Sequence, residues 1–398
     1  MRPLRAGLAL GLVSTLASTV LVACGDGGNE TEVSITGTTP AVSDSPSAPA
    51  VPEPTDDPSS PTESPEPSEP PAPSGPPEVV STIATGLEAP WGLDFFPDGD
   101  AIVTERDTRR VLRVSPQGEV TELGVVEAAR PTGGGAEDGL LGVALSPDFA
   151  TDSLVYLYLT TATDNRVVRT TLDGDRLGTR LEVLIDGIPN GFIHDGGRLE
   201  FGPDGLLYVS TGEAGEPSFA QDPQSLGGKV LRLTPDGDPA PGNPSGTAVF
   251  SLGHRNVQGL AFDRAGRLWA SEFGDQTFDE LNRIEAGGNY GWPEVEGQGG
   301  APAYVDPQQT WATDDNSPSG LAYLDGSLWM AALKGERLWR VTVRGRRAVE
   351  PKAFFVGDYG RMRTIAVAPD GTLWLTTSNR DQRGTPREGD DRILQVRP

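Results

Sequence analysis

Leu199-Glu-Phe-Gly-Pro-Asp-Gly-Leu-Leu-Tyr-Val-Ser210 reads as one strand, one tight turn and a second strand. Leu199 and Phe201 alternate with Glu200, the period of a strand with one buried face, and Pro203-Asp204-Gly205 supplies turn chemistry: a fixed φ, a side chain that caps its own backbone, and a residue free to take positive φ. The phrase recurs as Leu93-Asp-Phe-Phe-Pro-Asp-Gly into Ala101-Ile-Val-Thr, Val143-Ala-Leu-Ser-Pro-Asp into Leu154-Val-Tyr-Leu, Leu260-Ala-Phe-Asp into Leu268-Trp-Ala-Ser, Leu321-Ala-Tyr-Leu-Asp-Gly into Leu328-Trp-Met-Ala, and Ile365-Ala-Val-Ala-Pro-Asp-Gly into Leu373-Trp-Leu-Thr. The copies return roughly every 45 to 60 residues, the length of a four-stranded blade with its loops. A single hairpin leaves an apolar face wet, whereas blades packed radially cover one another. The repeats therefore predict an all-β, six-bladed β-propeller of four-stranded antiparallel blades, and a β-sandwich has no need of six copies of one hairpin. Val111-Leu-Arg-Val, Val168-Arg-Thr-Thr, Val230-Leu-Arg-Leu and Leu338-Trp-Arg-Val follow the hairpins and read as outer strands.

Outward from the repeats, the propeller is expected over residues 78–398, with two segments of other character ahead of it. Residues 1–24 carry a basic head at Arg2 and Arg5, an apolar run diluted by Gly and Ser, and the ending Leu21-Val-Ala-Cys24, which resembles a bacterial lipobox. The run is too short and diluted for a convincing transmembrane anchor, so a lipoprotein signal peptide with Cys24 as the lipidated residue is expected. That places the protein outside the cytoplasm, on the outer face of the cell membrane, touching it only through this anchor. Residues 25–77 are rich in Pro, Ser, Thr and Glu, with no Lys or Arg between Arg5 and Arg106; such a stretch cannot bury enough apolar surface to order itself and reads as a disordered tether.

Among 398 residues Gly numbers 51 and Pro 36, which suits many short strands and disfavours long helices. The net charge of −25 argues against nucleic acid and against adhesion to anionic lipid. Cys24 is the only cysteine, so no intramolecular disulfide is possible, and Lys occurs only at 229, 334 and 352, which makes Lys334 more than one of many surface lysines.

Polar, glycine-flanked residues outside the hairpins are the candidates for chemistry. His194, in Ile193-His-Asp-Gly-Gly-Arg-Leu199, is one of two histidines; imidazole is the natural base near neutral pH, and the glycines permit close approach of a planar ligand. Gly253-His-Arg-Asn-Val-Gln-Gly259 offers the guanidinium fork of Arg255 and the amide of Asn256, suited to carboxylate or quinone oxygens, with His254 read as structural. Glu272-Phe-Gly-Asp-Gln-Thr-Phe-Asp-Glu-Leu-Asn282 and Gly287-Gly-Asn-Tyr-Gly-Trp-Pro293 bring carboxylates, glycine turns and an amide of the kind a hard cation needs, without EF-hand spacing.

Taken together, these clusters resemble the soluble PQQ-dependent sugar dehydrogenases of the glucose/sorbosone dehydrogenase family over essentially residues 80–398. The resemblance implies that His194 is the catalytic base, that Arg255 and Asn256 contact cofactor and substrate, and that Gly274 and Asp275 bind a catalytic Ca²⁺ through their carbonyls. It implies that Asp279, Glu280 and Tyr290 belong to the metal site as well, and that Lys334, Arg361 and Arg363 are PQQ-carboxylate partners. Glu137 stands where some members have Gln near the sugar, and Glu213 where an Asp commonly supports the histidine. Asp275 replaces a Pro of some members. The implied reaction is oxidation of an aldose to its lactone by hydride transfer, with the quinone cofactor doing the redox chemistry and the final electron acceptor unknown. Two other functions fit such a propeller: a Ca²⁺-dependent lactonase, and a non-catalytic module binding glycans or a protein partner at the cell surface. The lactonase leaves Arg and Lys gathered in an acidic chain unexplained, whereas the departures at Glu137 and Glu213 keep the binding module open.

Overall fold

The computed structural model describes Pro73 and residues 75–398, and these form the expected propeller. The segments expected to be a signal peptide (1–24, with Cys24) and a tether (25–77) fall, up to residue 72 and at residue 74, outside the described residues. From the channel outward, blade 1 is Pro90–Phe95, Ala101–Glu105, Arg110–Val114 and Val120–Val125, and blade 2 is Leu140–Leu145, Leu154–Thr160, Asn165–Asp173 and Glu182–Ile188. Blade 3 is Leu199–Phe201, Leu207–Ser210, Lys229–Leu233 and Val249–Leu252, and blade 4 is Asn256–Phe262, Leu268–Phe273, Phe278–Ile284 and Gln309–Ala312. Blade 5 is Pro318–Leu324, Ser327–Ala332, Arg337–Arg344 and Arg347–Phe354. Blade 6 takes Met362–Val367, Leu373–Thr377 and Ile393–Arg397 from the end of the chain and its outermost strand, Glu78–Ala84, from the beginning. That last pairing runs antiparallel from Glu78 opposite Arg397 to Ala84 opposite Ile393, and it closes the ring.

All six repeated hairpins are the inner two strands of blades, as in the register of Leu199 opposite Val209. The segments read as outer strands are third strands instead: a fourth, more polar strand lies outside each, and its solvent-facing residues hide the alternation that marks the inner ones. Among the described residues the two helices, Phe149–Asp152 and Ser218–Gln221, have four residues each. None is long and apolar enough to cross a membrane.

The core is divided as a propeller requires. Each blade interface holds one apolar cluster built from both neighbours, such as Trp374 and Ile393 of blade 6 against Leu93 and Val103 of blade 1. Trp269, Trp329 and Trp374, at equivalent places on second strands, are fully buried in three of these.

The inner strands also touch backbone to backbone. A Cβ on Gly142 of blade 2 would sit 2.1 Å from the Gly197 carbonyl oxygen, and one on Gly259 of blade 4 would sit 2.3 Å from that of Ser319, so glycine is required by space alone. Blades 3 and 6 carry Arg198 and Thr364 at the corresponding position, and these two side chains meet across the channel, Arg198 Nη2 donating to Thr364 Oγ1 at 3.1 Å. Arg198 also donates through Nε to the Gln258 carbonyl at 3.0 Å and lies over the Trp91 ring at 4.4 Å. It roofs a cavity of about 480 Å³ at the hairpin-turn end of the channel, where burial pushes the Glu200 carboxyl up to about 8.

Gly142→Ala is expected to force neighbouring inner strands apart and cost about 1–3 kcal/mol, the usual penalty of overpacking. A lowered thermal midpoint checks this, and an unchanged one would show that the inner strands can separate freely.

Candidate functional site

Every inner strand begins, and every second strand ends, at the same mouth of the channel, so the loops at these two places are neighbours although far apart in sequence. They carry Glu137 before blade 2, His194 before blade 3, Arg255 before blade 4, Arg361 before blade 6, and Glu213, Gly274, Lys334 and Asp381 after second strands. The sequence candidates thus share one end of the molecule.

His194 is buried and adopts a left-handed backbone with φ of 63°, an arrangement its surroundings must hold in place. Its N–H donates to Glu137 Oε2 at 2.9 Å, and its carbonyl accepts from Ala214 N at 3.0 Å. Asp195 ties the preceding loop together, accepting from Asn165 Nδ2 at 2.8 Å and Gly191 N at 3.1 Å. The imidazole Nδ1 is hydrogen-bonded to Glu213 Oε1. A carboxylate at Nδ1 places the ring proton there and leaves Nε2 with a free lone pair, the form a base needs. Glu213 is itself buried, and its second oxygen has no partner among the described residues.

Arg361 and Arg363 are buried in the mouth with Arg106 close by. Asp381 holds both: Arg361 Nη2 lies 2.9 Å and Arg363 Nη2 3.7 Å from its Oδ2. Burial pushes the Arg363 guanidinium down to about 9, against the pull of Asp381 and with the charges of Arg106 and Arg361. Burial alone would raise Asp381, but the two arginines keep it below the ordinary carboxylate range. Arg363 also donates to Ser378 Oγ and Gln258 Oε1, both at 3.2 Å.

Arg255 donates to the Gly274 carbonyl and, at 2.8 Å, to Asp275 Oδ1, and its guanidinium lies over the Trp292 ring at 5.2 Å. Its Nε is buried without a partner among the described residues. Asn256 spends Oδ1 on Gly196 N at 3.0 Å and points Nδ2 toward Glu137 at 3.4 Å. The turn after Gly274 is shaped by Glu296, whose Oε1 accepts from Asp275 N at 2.7 Å, Thr277 N at 3.1 Å and Phe278 N at 3.0 Å. In a trans peptide the carbonyl opposes its N–H, so the Gly274 carbonyl is turned away from Glu296 and toward Arg255.

The remaining cation candidates do not converge as side chains. Asp279 accepts from Gly274 N at 2.9 Å and Ser317 N at 2.6 Å, while Glu280 accepts from Asn282 Nδ2 at 3.0 Å and Gly297 N at 2.7 Å. Burial pushes both carboxyls up, and Glu280 is pushed further by Glu272, directly opposite on the next strand. The Tyr290 hydroxyl donates to the Arg283 carbonyl at 2.7 Å and accepts from Glu285 N at 2.9 Å, and its ring stacks on His254 at 4.6 Å. His254, between Ser251 and Glu272 at 2.8 Å each, is structural as read. Lys334 stands at the rim, its side chain 56% exposed and paired with Asp314.

Residues 87–385 match the glucose/sorbosone dehydrogenase family model. The chain belongs to this family. A chain of Synechocystis called only an uncharacterized protein is 33% identical over 76% of this chain and 84% of its own. The quinoprotein glucose dehydrogenase B of Acinetobacter calcoaceticus is 36% identical over 54% of this chain and 52% of its own. The PQQ-bound aldose sugar dehydrogenase of Streptomyces coelicolor superposes with a TM-score of 0.78 at 54% identity, over 82% of this chain and 99% of its own.

Asp381, Arg383, Gln258 and Glu296 escaped the sequence reading. For Asp381 and Arg383 a signal existed, since their loop follows the second strand of blade 6 just as Glu213 and Gly274 follow those of blades 3 and 4. Asp381→Ala strands two buried guanidiniums, and breaking a buried pair costs about 3–5 kcal/mol. Denaturant unfolding of the cofactor-free protein is expected to show a loss of that order, whereas wild-type stability would mean the arginines are solvated.

Proposed function

We propose that this chain is an exported sugar dehydrogenase that uses PQQ and Ca²⁺ to oxidise the anomeric carbon of an aldose to the lactone by hydride transfer, with His194 as base. The observation that carries this reading is the juxtaposition, at one mouth, of a carboxylate-oriented histidine and a buried arginine cluster short of negative charge. The names of the related quinoprotein and of the PQQ-bound neighbour support it.

The residues present suit a tricarboxylate cofactor. Arg361 and Arg363 share one carboxylate, and Arg255 Nε lacks an acceptor, so an anion would relieve charges that burial makes costly. Arg255, Asn256, Arg361, Arg363 and, from the rim, Lys334 would hold it. When bound, PQQ supplies the two-electron acceptor. Ca²⁺ would take the carbonyls of Gly274 and Asp275, competing with the Arg255 guanidinium for that of Gly274. Asp279, Glu280 and Tyr290 would support those loops rather than offer side-chain ligands, since their polar atoms are engaged by neighbours.

His194 Nε2 would take the proton of the anomeric hydroxyl, and Glu213 would stabilise the resulting imidazolium through Nδ1. Glu137 and Arg255, on either side, would orient the sugar hydroxyls. Lipidation of Cys24 and residence on the outer membrane face belong to the same proposal, supported by the lipobox-like Leu21-Val-Ala-Cys24.

With PQQ and Ca²⁺ added, the purified protein is expected to reduce a dye at the expense of aldoses, and chelation to abolish this. His194→Ala should lower turnover by about 10²- to 10⁴-fold, the usual worth of a positioned base, with PQQ affinity retained. Unchanged turnover would remove His194 from the mechanism. Fatty-acid labelling in cells should mark the wild type and miss Cys24→Ser; label in both would place the anchor elsewhere.

A further inference from the structure

We infer that Arg383 is a positioning residue of this site, holding Glu137 and, through it, the left-handed backbone of His194. The inference rests on the reading of His194 as base. Arg383 reaches across the mouth from the blade 6 loop to the loop before blade 2, 246 residues away in sequence, where Nη1 donates to Glu137 Oε1 at 2.6 Å. The rest of its fork grips the same loop: Nε and Nη2 donate to the Gly135 carbonyl at 3.1 and 2.6 Å. Three donors on two acceptors of one loop fix its position far better than a single surface pair would.

Glu137 in turn is the acceptor for the His194 N–H, at 2.9 Å on Oε2. Since His194 has a φ of 63°, its backbone stays in place only while neighbours impose it. On the other side, the His194 carbonyl is held by Ala214 N at 3.0 Å and packs so closely on Gly212 that a Cβ there would lie 1.9 Å away. Glu137 is therefore one jaw of the clamp that sets the height of the imidazole, and Arg383 sets Glu137. The loop bearing Arg383 is itself seated on the arginine cluster: a Cβ on Gly384 would lie 2.8 Å from Arg361 Cδ, and Asp381 of the same loop binds Arg361 and Arg363. One loop thus ties the charge cluster to the base.

Charge supports the same assignment. Burial alone would raise the Glu137 carboxyl, but the charge of Arg383, with the His194 N–H, keeps it below the ordinary range and ionised. The other titratable and charged groups facing this network are His194, Arg106, Arg361, Arg363, Asp138 and Asp195. Without Arg383 the carboxylate would take up its proton at higher pH and, once neutral, hold the His194 N–H more weakly.

The test is a double-mutant cycle on the full-length protein loaded with PQQ and Ca²⁺, comparing wild type, Arg383→Met, Glu137→Gln and the double variant, with Arg383→Lys as the conservative control. Arg383→Met is expected to lower kcat by about 10-fold or more, a typical coupling between contacting charged groups, and to move the acid limb of the kcat profile upward with PQQ affinity unchanged. Arg383→Lys should recover part of both effects. In the Glu137→Gln background the same change should cost little, because the carboxylate it positions is gone. A wild-type kcat and pH profile in Arg383→Met, or an equal loss in both backgrounds, would overturn the inference; if Arg383→Met does not fold, Arg383→Lys in the two backgrounds makes the same comparison. His194→Ala separates the two claims: loss of turnover there with Arg383→Met unaffected refutes only the positioning role, and full turnover there refutes the base.

Discussion

The inner strands of the propeller approach one another so closely that no side chain fits between them at Gly142 or Gly259, and much of the molecule follows from that constraint. It fixes the radius of the channel, and with it the spacing of the loops that rise from the ring. It also makes the two exceptions informative. Arg198 and Thr364, in blades 3 and 6, carry side chains where glycine is found elsewhere, and they bond across the axis to separate a cavity at the turn end from the polar mouth. Pairing of Glu78–Ala84 with Ile393–Arg397 keeps the ring shut, since without it blade 6 would end on an open edge beside the blade 1 interface.

On that frame the mouth gathers opposed charges at low polarity. His194 is oriented by Glu213 through its ring and by Glu137 through its backbone, so that ring tautomer and position are set by two separate carboxylates. A few residues away in space, Arg361 and Arg363 share Asp381. Such an arrangement is expensive for the isolated protein and is understandable where a polyanionic partner shares the site. In a chain of net charge −25 the mouth thus holds buried arginines and buried carboxylates side by side.

How much of this could be read from the sequence depends on how local each cause is. The inner hairpins were legible because Pro-Asp-Gly turns and alternating Leu, Phe and Trp act within a dozen residues. The fourth strands were not: Val120–Val125 has mostly exposed side chains, and Glu78–Ala84 finds its partner at the opposite end of the chain. In the site, His194 stood out as one of two histidines, flanked by glycines that the close packing requires. Lys334 stood out for its rarity and proved to be a rim residue paired with Asp314. For Asp381 and Arg383 the sequence offered only the position of their loop after a second strand, since Asp and Arg are common and Arg383 finds Glu137 only once the ring is closed. Asp279 and Tyr290 were singled out because their residue types suit a cation, and in the structure both are bonded to backbone groups, contacts that residue type alone does not reveal.

The claim on which the account turns is that the base and the arginine cluster serve one reaction, removal of hydrogen from the anomeric carbon of a sugar. Anaerobic mixing of the PQQ- and Ca²⁺-loaded protein with an aldose, followed by the absorbance of the bound cofactor, addresses it without any external acceptor. The account predicts stoichiometric reduction of the cofactor that slows when deuterium replaces hydrogen at C1. Bound cofactor that stays oxidised across a panel of aldoses, or reduction at the same rate with the deuterated sugar, would contradict it.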